Sequence, residues 1–313
     1  MRIIRHADDY DDRLKAVLTI GNFDGLHIGH QRLIKTAVRL AGERKNACSA
    51  VLTFNRHPLR LLNPQQAPVP ISSFKQKVHL FKNFGIDRAI FLRFTRKLAR
   101  MSAYDFIKEI IFQRLSACDV VVGSDFAFGR GRQGNVSFLK EHSREFGYRL
   151  TVLAMISHNE HVASSTAIRR LVGEGEMVRV KEMLGRPYSL EGHVAHGSRK
   201  GKALRAATAT LKVKSALIPR TGVYAVYAKL ADGSYPGVAN IGFQPTFGEN
   251  DLAIEAHLFD FDKVIYHQPM ELFFLERIRG EISFPSPEAL REQIQKDIRS
   301  AREICLFHSP ADR

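Results

Sequence analysis

Cysteine is scarce in this chain of 313 residues: Cys48, Cys118 and Cys305 are the only three, widely separated and never in a CxxC pair. That spacing gives no sign of a disulfide framework or a cysteine zinc cluster, and it fits a reducing compartment. Long apolar runs are also missing. The first residues carry no apolar signal core, and no stretch approaches the length that spans a bilayer, so a cytoplasmic protein without a membrane partner is expected. Acidic residues are in short supply: 47 Lys and Arg against 32 Asp and Glu leave a formal charge of +15 and a pI near 9.9. Such a balance points to anionic partners, among which nucleic acid, a membrane surface and polyphosphate compounds all qualify. Here the basic residues are interleaved with acidic ones, without a long basic arm or an RNA-recognition signature. Nucleotide-sized substrates are therefore favoured over nucleic acid.

What is present is ordinary in bulk, at 44% hydrophobic and 25% charged, and long enough for two domains. The informative stretch is residues 21–30. A β-branched run at 16–20 feeds straight into Gly21, Asn22, Phe23, Asp24 and Gly25, and His27 and His30 follow where a helix begins. In an open parallel sheet, ligands bind beyond the carboxyl ends of the strands, and a glycine-opened turn lets helix N-terminal amides face an anion. Two histidines three residues apart share a helix face and can donate to one group of phosphate oxygens. Zinc is a poor alternative, because no Glu or Cys stands near to complete a ligand set. Ordinary capping or surface histidines are the plain alternative, and the preceding strand and glycine turn count against it.

The rest of the first half alternates in the same way. Strands are expected at 48–54, 89–92, 119–122 and 150–154, and helices at 30–42, 74–84 and 103–115. Five short apolar strands alternating with helices imply a doubly wound parallel sheet, an α/β fold of Rossmann type. Near Arg186 the helical pattern stops and strands separated by turns take over. Residues 223–230 and 235–241 flank an Asp-Gly hairpin signal, 254–259 and 270–274 continue the β pattern, and 287–304 carries Leu290, Ile294, Ile298 and Ile304 at helical spacing. Domains of 1–186 and 187–313 are expected, the second a small antiparallel β-barrel with a closing helix.

The motifs, taken together, resemble the prokaryotic bifunctional riboflavin kinase/FMN adenylyltransferase (FAD synthetase) family. The stretch 21–30 is similar to its HxGH nucleotidyltransferase signature. That resemblance implies His27 and His30 as catalytic residues and Gly21, Asn22, Phe23, Asp24 and Gly25 as ATP-binding. Residues 163–171 are a good helix N-cap in their own right. They also resemble the family's SSTxIR motif, which implies that Ser164, Ser165 and Thr166 hold nucleotide while Arg169 neutralises the departing pyrophosphate. The loop from Gly123 to Gly134 resembles GxDFxFGxxRxG, implying flavin contacts from Asp125, Phe126, Phe128 and Gly129. Taken singly, those phenylalanines read equally well as core residues. Phe54, His57 and Pro58 match a related TFxxHP stretch, with Arg56 in place of a frequent proline. ATP, FMN and riboflavin are the implied small-molecule partners, FAD the product and Mg²⁺ the cofactor, carried mainly by substrate phosphates.

The second half resembles the riboflavin kinase domain through residues 242–247, 254–258 and 278–284, which implies Glu255 as the base that takes a proton from the ribityl hydroxyl. On position alone Glu255 reads as a solvent-facing strand carboxylate. One motif departs from the family. Its G-F-P-T-A-N run, whose threonine and asparagine hold ATP phosphates and Mg²⁺, is here Arg205, Ala206, Ala207, Thr208, Ala209 and Thr210. Thr208 keeps its place as nucleotide and metal ligand, whereas Thr210 replaces a longer amide. The expectation is FAD synthesis with a weakened or inactive kinase half; a fully bifunctional enzyme and a non-enzymatic flavin- or RNA-binding protein are the alternatives.

Overall fold

The computed structural model describes residues 1–5, 10, 14–158, 161–195, 208–214, 216–243 and 252–308. By internal packing the chain divides into Met1–Ser165 and Thr166–Arg313. Composition instead changes at Arg186, because the two helices before that residue pack with the second unit.

Six parallel strands make the sheet of the first unit: β1 (Arg2–Ile4), β2 (Lys15–Ile20), β3 (Ala47–Phe54), β4 (Arg88–Leu92), β5 (Ala117–Gly123) and β6 (Arg149–Leu153), in the spatial order β1-β4-β3-β2-β5-β6. Alternate residues serve opposite faces, which is why the runs are almost wholly apolar. Ala16, Leu18, Ile20, Ala50 and Leu52 join one buried cluster, while Val17, Val51, Ala89, Phe91 and Val121 join another. Helix α1 (Ile28–Gly42) covers the second cluster with Leu33, Ile34, Ala37 and Leu40, and α2 (Phe74–Asn83) adds Phe81. The first cluster is covered by Phe106, Ile107, Ile110 and Ile111. These lie where one helix was expected over 103–115; a short turn, Ala103–Asp105, instead continues as a π-helix, Phe106–Arg114. The sheet is doubly wound. From β2 the chain proceeds to β3 and β4 on one side and later returns to β5 and β6 on the other, so β2 and β5 flank the switch point. Ligands of open α/β sheets bind at that place.

After the sheet, α3 (Ser165–Glu174) and α4 (Met177–Leu184) follow, the latter stopped by Gly185 in the left-handed conformation at φ 66°. Then β7 (Tyr188–Ala195), β8 (Thr208–Val213), β9 (Gly222–Leu230), β10 (Gly233–Phe243), β11 (Leu252–Leu258) and β12 (Pro269–Arg279) close an antiparallel barrel in the order β7-β8-β11-β10-β9-β12. The Asp-Gly signal becomes a two-residue turn, with Leu230 paired to Gly233. The buried rings of Tyr188 and Tyr224 both pack on that of Phe274.

Helix α5 (Pro287–Phe307) starts at a Ser286 cap, whose hydroxyl accepts from the Ala289 amide, and it covers Ala225, Tyr227 and Leu275 of the barrel. Asp297, Ala301 and Cys305 are its buried residues, and of the expected apolar positions Ile298 and Ile304 pack on the same cluster, Ile294 is half-buried and Leu290 is exposed. Polar anchors add to this packing. Arg279 donates to both carboxylate oxygens of buried Asp297 at 2.8–3.0 Å, Gln293 adds a bond of 2.8 Å, and Tyr227 donates to the Cys305 carbonyl at 2.8 Å.

Candidate active site

The turn between β2 and α1 is pinned from below by its carbonyls. The Asn22 carbonyl accepts from Lys77 Nζ at 2.7 Å and Thr53 Oγ1 at 3.1 Å, the Asp24 carbonyl from Ser165 Oγ at 2.9 Å, and the Leu26 carbonyl from Gln31 Nε2 at 2.9 Å. Gly21 donates its amide to the Leu52 carbonyl. Backbone geometry here is special: Phe23, Gly25 and Leu26 all have positive φ, at 47°, 78° and 44°. For the two non-glycine residues this conformation costs about 1–3 kcal/mol each, and the surrounding bonds hold it. Phe23 is fully buried against Phe81, and Asp24 turns its carboxylate to the Ile71 and Ser72 amides at 3.1–3.3 Å. Both expected ATP-binding residues thus send their side chains into the frame of the turn. Exposed Asn22 reaches sideways, its amide 3.4 Å from His57 Nε2.

His27 caps α1 and His30 lies in its first turn, with parallel rings 3.6 Å apart. His27 Nδ1 accepts from the His30 amide at 3.4 Å, so in the neutral ring the proton sits on Nε2. His30 Nδ1 is buried without a hydrogen-bond partner. Burial, His27 and the Lys77 charge hold the His30 imidazole well below its ordinary 6.5. Unfolding releases that ring to take a proton below 6.5. The unfolded chain then binds more protons, and stability falls as pH drops through this window. Melting temperature measured from about pH 7.5 to about pH 5 is expected to decline more steeply for wild type than for His30→Asn; equal slopes would contradict a neutral His30.

Gly29 explains the small residue between the histidines. A Cβ there would lie 3.1 Å from His27 Nδ1, closer than ordinary contact allows. Gly29→Ala is expected to displace the His27 ring and slow turnover by roughly tenfold with the fold retained; unaltered turnover would show that the ring position is immaterial. Ser164 and Ser165 are half-buried at the start of α3, Thr166 is exposed, and Arg169 stands one helical turn beyond Ser165.

The loops expected to meet flavin are aromatic but unequal. Phe126 is half-buried and stacked on Phe128, with centroids 5.4 Å apart. Phe128 is buried in the core beside Phe106 and Phe138. Gly129, at φ 73°, allows a close approach to Ala103, since a Cβ would lie 2.8 Å from the Ala103 amide nitrogen. Asp125 is exposed. Phe54 packs edge-on against Phe94, while His57 and Pro58 open a short helix, Leu59–Leu62, with His57 Nδ1 accepting from the Leu59 amide at 3.2 Å.

In the barrel, register assembles a second group. Thr210 stands opposite Glu255, and Glu255 opposite Asn240, so the three form one row on a common face across β8, β11 and β10. Thr210 is buried, Glu255 half-buried and Asn240 exposed. A Cβ on Gly242 would lie 2.6 Å from Glu281 Oε1, so that glycine admits the Glu281 carboxylate next to Asn240. Thr208 begins β8 opposite His257, and Arg205, Ala206 and Ala207 lie outside the described residues.

Residues 10–167 match the family model described as FAD synthetase, and residues 184–305 the model described as riboflavin kinase. The bifunctional riboflavin kinase/FMN adenylyltransferase of Haemophilus influenzae is 34% identical over 304 residues, covering 96% of this chain and 98% of the relative. Its Escherichia coli K12 counterpart is 32% identical over 296 residues, 94% of each. The chain belongs to this bifunctional family. A crystal structure described as a macrolide-efflux protein from Streptococcus pneumoniae shares the fold at TM-score 0.88 and 27% identity, covering 96% of this chain and 98% of that one. Among the described residues no helix is long and apolar enough to cross a membrane. Within the riboflavin kinase/FMN adenylyltransferase frame, sequence reasoning missed Lys77, Thr53 and Asn240. The first two come from other elements than the turn they hold, and the last emerges only from strand register.

Proposed function

We propose that the chain joins AMP to FMN: an FMN phosphate oxygen attacks the α-phosphorus of ATP, the bond to the bridging oxygen breaks, and pyrophosphate leaves in line. The observation that supports this best is the pair of stacked histidines at the N-terminus of α1, on a turn whose carbonyls are held beneath it. The Nε2–H groups of His27 and of neutral His30 donate to phosphate oxygens, so the developing charge meets preorganised donors. Asp24 and Phe23 shape the turn; Gly21, Asn22 and Gly25 supply backbone; Ser165 holds the Asp24 carbonyl, while Ser164 and Thr166 meet the nucleotide at the start of α3. Arg169 meets the departing pyrophosphate. Mg²⁺ enters with ATP as part of the substrate, on phosphate oxygens, and neutralises their charge; among the described residues no three His, Cys, Asp or Glu come together as a cage. Phe126, Asp125, Phe54, His57 and Pro58 meet the flavin, with Phe128 and Gly129 fixing their loop. We assign this work to residues 1–186.

The barrel of 187–313 carries the kinase fold with Glu255 as base and Thr208 as phosphate and metal ligand, and its activity is weak because the G-F-P-T-A-N run is lost. A fully bifunctional enzyme is the second reading, favoured by Asn240, an amide already in the row of Thr210 and Glu255. The test for the first activity is transfer of label from the α-phosphorus of ATP into FAD, with one pyrophosphate released per FAD. Binding of FMN without label transfer would favour a flavin-binding protein instead.

A further inference from the structure

The phosphate turn is braced by a helix that the histidine motif does not contain. Asp24 grips the amides of Ile71 and Ser72, just before α2, and Lys77 in that helix's first turns reaches back to the Asn22 carbonyl at 2.7 Å. The start of α2 is itself firm, because Ser73 and Gln76 form a reciprocal capping box. Turn and helix are therefore clamped at two points. In a trans peptide the carbonyl and the following N–H point in opposite directions, so the hold of Lys77 and Thr53 on the Asn22 carbonyl directs the Phe23 N–H away from them. The same two bonds sustain the positive φ of Phe23, whose ring packs edge-on to His30 at 5.1 Å.

We propose that Lys77 is a positioning residue for adenylyl transfer: its ammonium fixes the Asn22–Phe23 peptide and places a cation beneath the turn that receives the triphosphate. Resting on the FMN adenylylation reading, this adds a residue to it. Charges around the ammonium agree with such a role. Lys77 is held below the ordinary lysine range by burial, with Asp24 pulling the other way, and its charge helps to keep His30 neutral.

Steady-state FAD formation with ATP varied, on the full chain, tests this with Lys77→Met, Lys77→Arg and Thr53→Val. Lys77→Met is expected to lower kcat/KM for ATP by roughly 10–100-fold with both kcat and KM affected, because a shifted turn misplaces the histidines as well as the phosphates. Lys77→Arg, which keeps a cationic donor, is expected to recover most of the loss, and Thr53→Val to show a smaller loss of the same kind. Independently of turnover, the His30 ring titrated by NMR is expected to protonate at higher pH in Lys77→Met, one like charge having gone. Wild-type kinetics in a folded Lys77→Met, or equal losses for Met and Arg with melting temperature lowered alike, would overturn the proposal. A wild-type chain that makes no FAD would overturn the adenylylation reading beneath it, a result distinct from either.

Discussion

Replacing His27 or His30 by alanine is expected to slow FAD formation by roughly 10²–10³, the usual consequence of removing one preorganised donor to a transition-state charge. Both rings are built into the start of α1, one as its cap, and they stack at 3.6 Å. Loss of either therefore removes a donor and also frees its neighbour to tilt. Because the two act as a unit, His27→Ala combined with His30→Ala should cost little more than either alone. Asparagine at either position keeps an N–H of different reach and is expected to recover part of the rate. Near-normal turnover in the alanine variants, with unchanged circular dichroism, would show that the pair is merely structural.

Riboflavin, offered with ATP, is expected to yield FMN roughly 10²-fold more slowly than FMN yields FAD, the scale expected when phosphate-holding groups are missing. Glu255 is in place at the centre of the row formed with Thr210 and Asn240. What differs is the sequence before β8: Arg205, Ala206 and Ala207 stand where the family run has glycine, phenylalanine and proline, and Thr210 is shorter than an amide. Restoring Arg205→Gly, Ala206→Phe, Ala207→Pro and Thr210→Asn together should raise kinase activity more than the single changes combined, since one loop and one ligand set re-form jointly. Thr210 is buried, so asparagine alone meets tight packing and gains little. Kinase turnover equal to FAD synthesis in the unaltered chain would show that Thr208 and Asn240 suffice.

Much of the fold was legible because buried parallel strands are short apolar runs and the Asp-Gly turn has one strong meaning. All five expected strands of the first sheet form, and the expected barrel closes with its helix. The edge strand Arg2–Ile4 was missed, being three residues long and dependent on β4 for its pairing. Helix α5 shows a different limit: apolar spacing marks Ile298 and Ile304, which pack on the barrel, but gives no sign that Asp297 is buried beside them through its ion pair with Arg279. In the site, the histidines and glycines announce themselves by spacing. Aromatic residues do not, since Phe23, Phe126 and Phe128 are alike in sequence and only Phe126 remains partly exposed. Lys77 is invisible from the motif because its contact with Asn22 spans separate elements.

One chromatogram tests the central claim most directly. The purified chain is incubated with ATP and Mg²⁺ and given FMN in one vessel and riboflavin in another, and the flavins are resolved over time. FMN is expected to convert steadily to FAD, while riboflavin yields FMN and FAD only slowly. No FAD from FMN, in a chain that is folded and binds both ATP and FMN, would contradict the account.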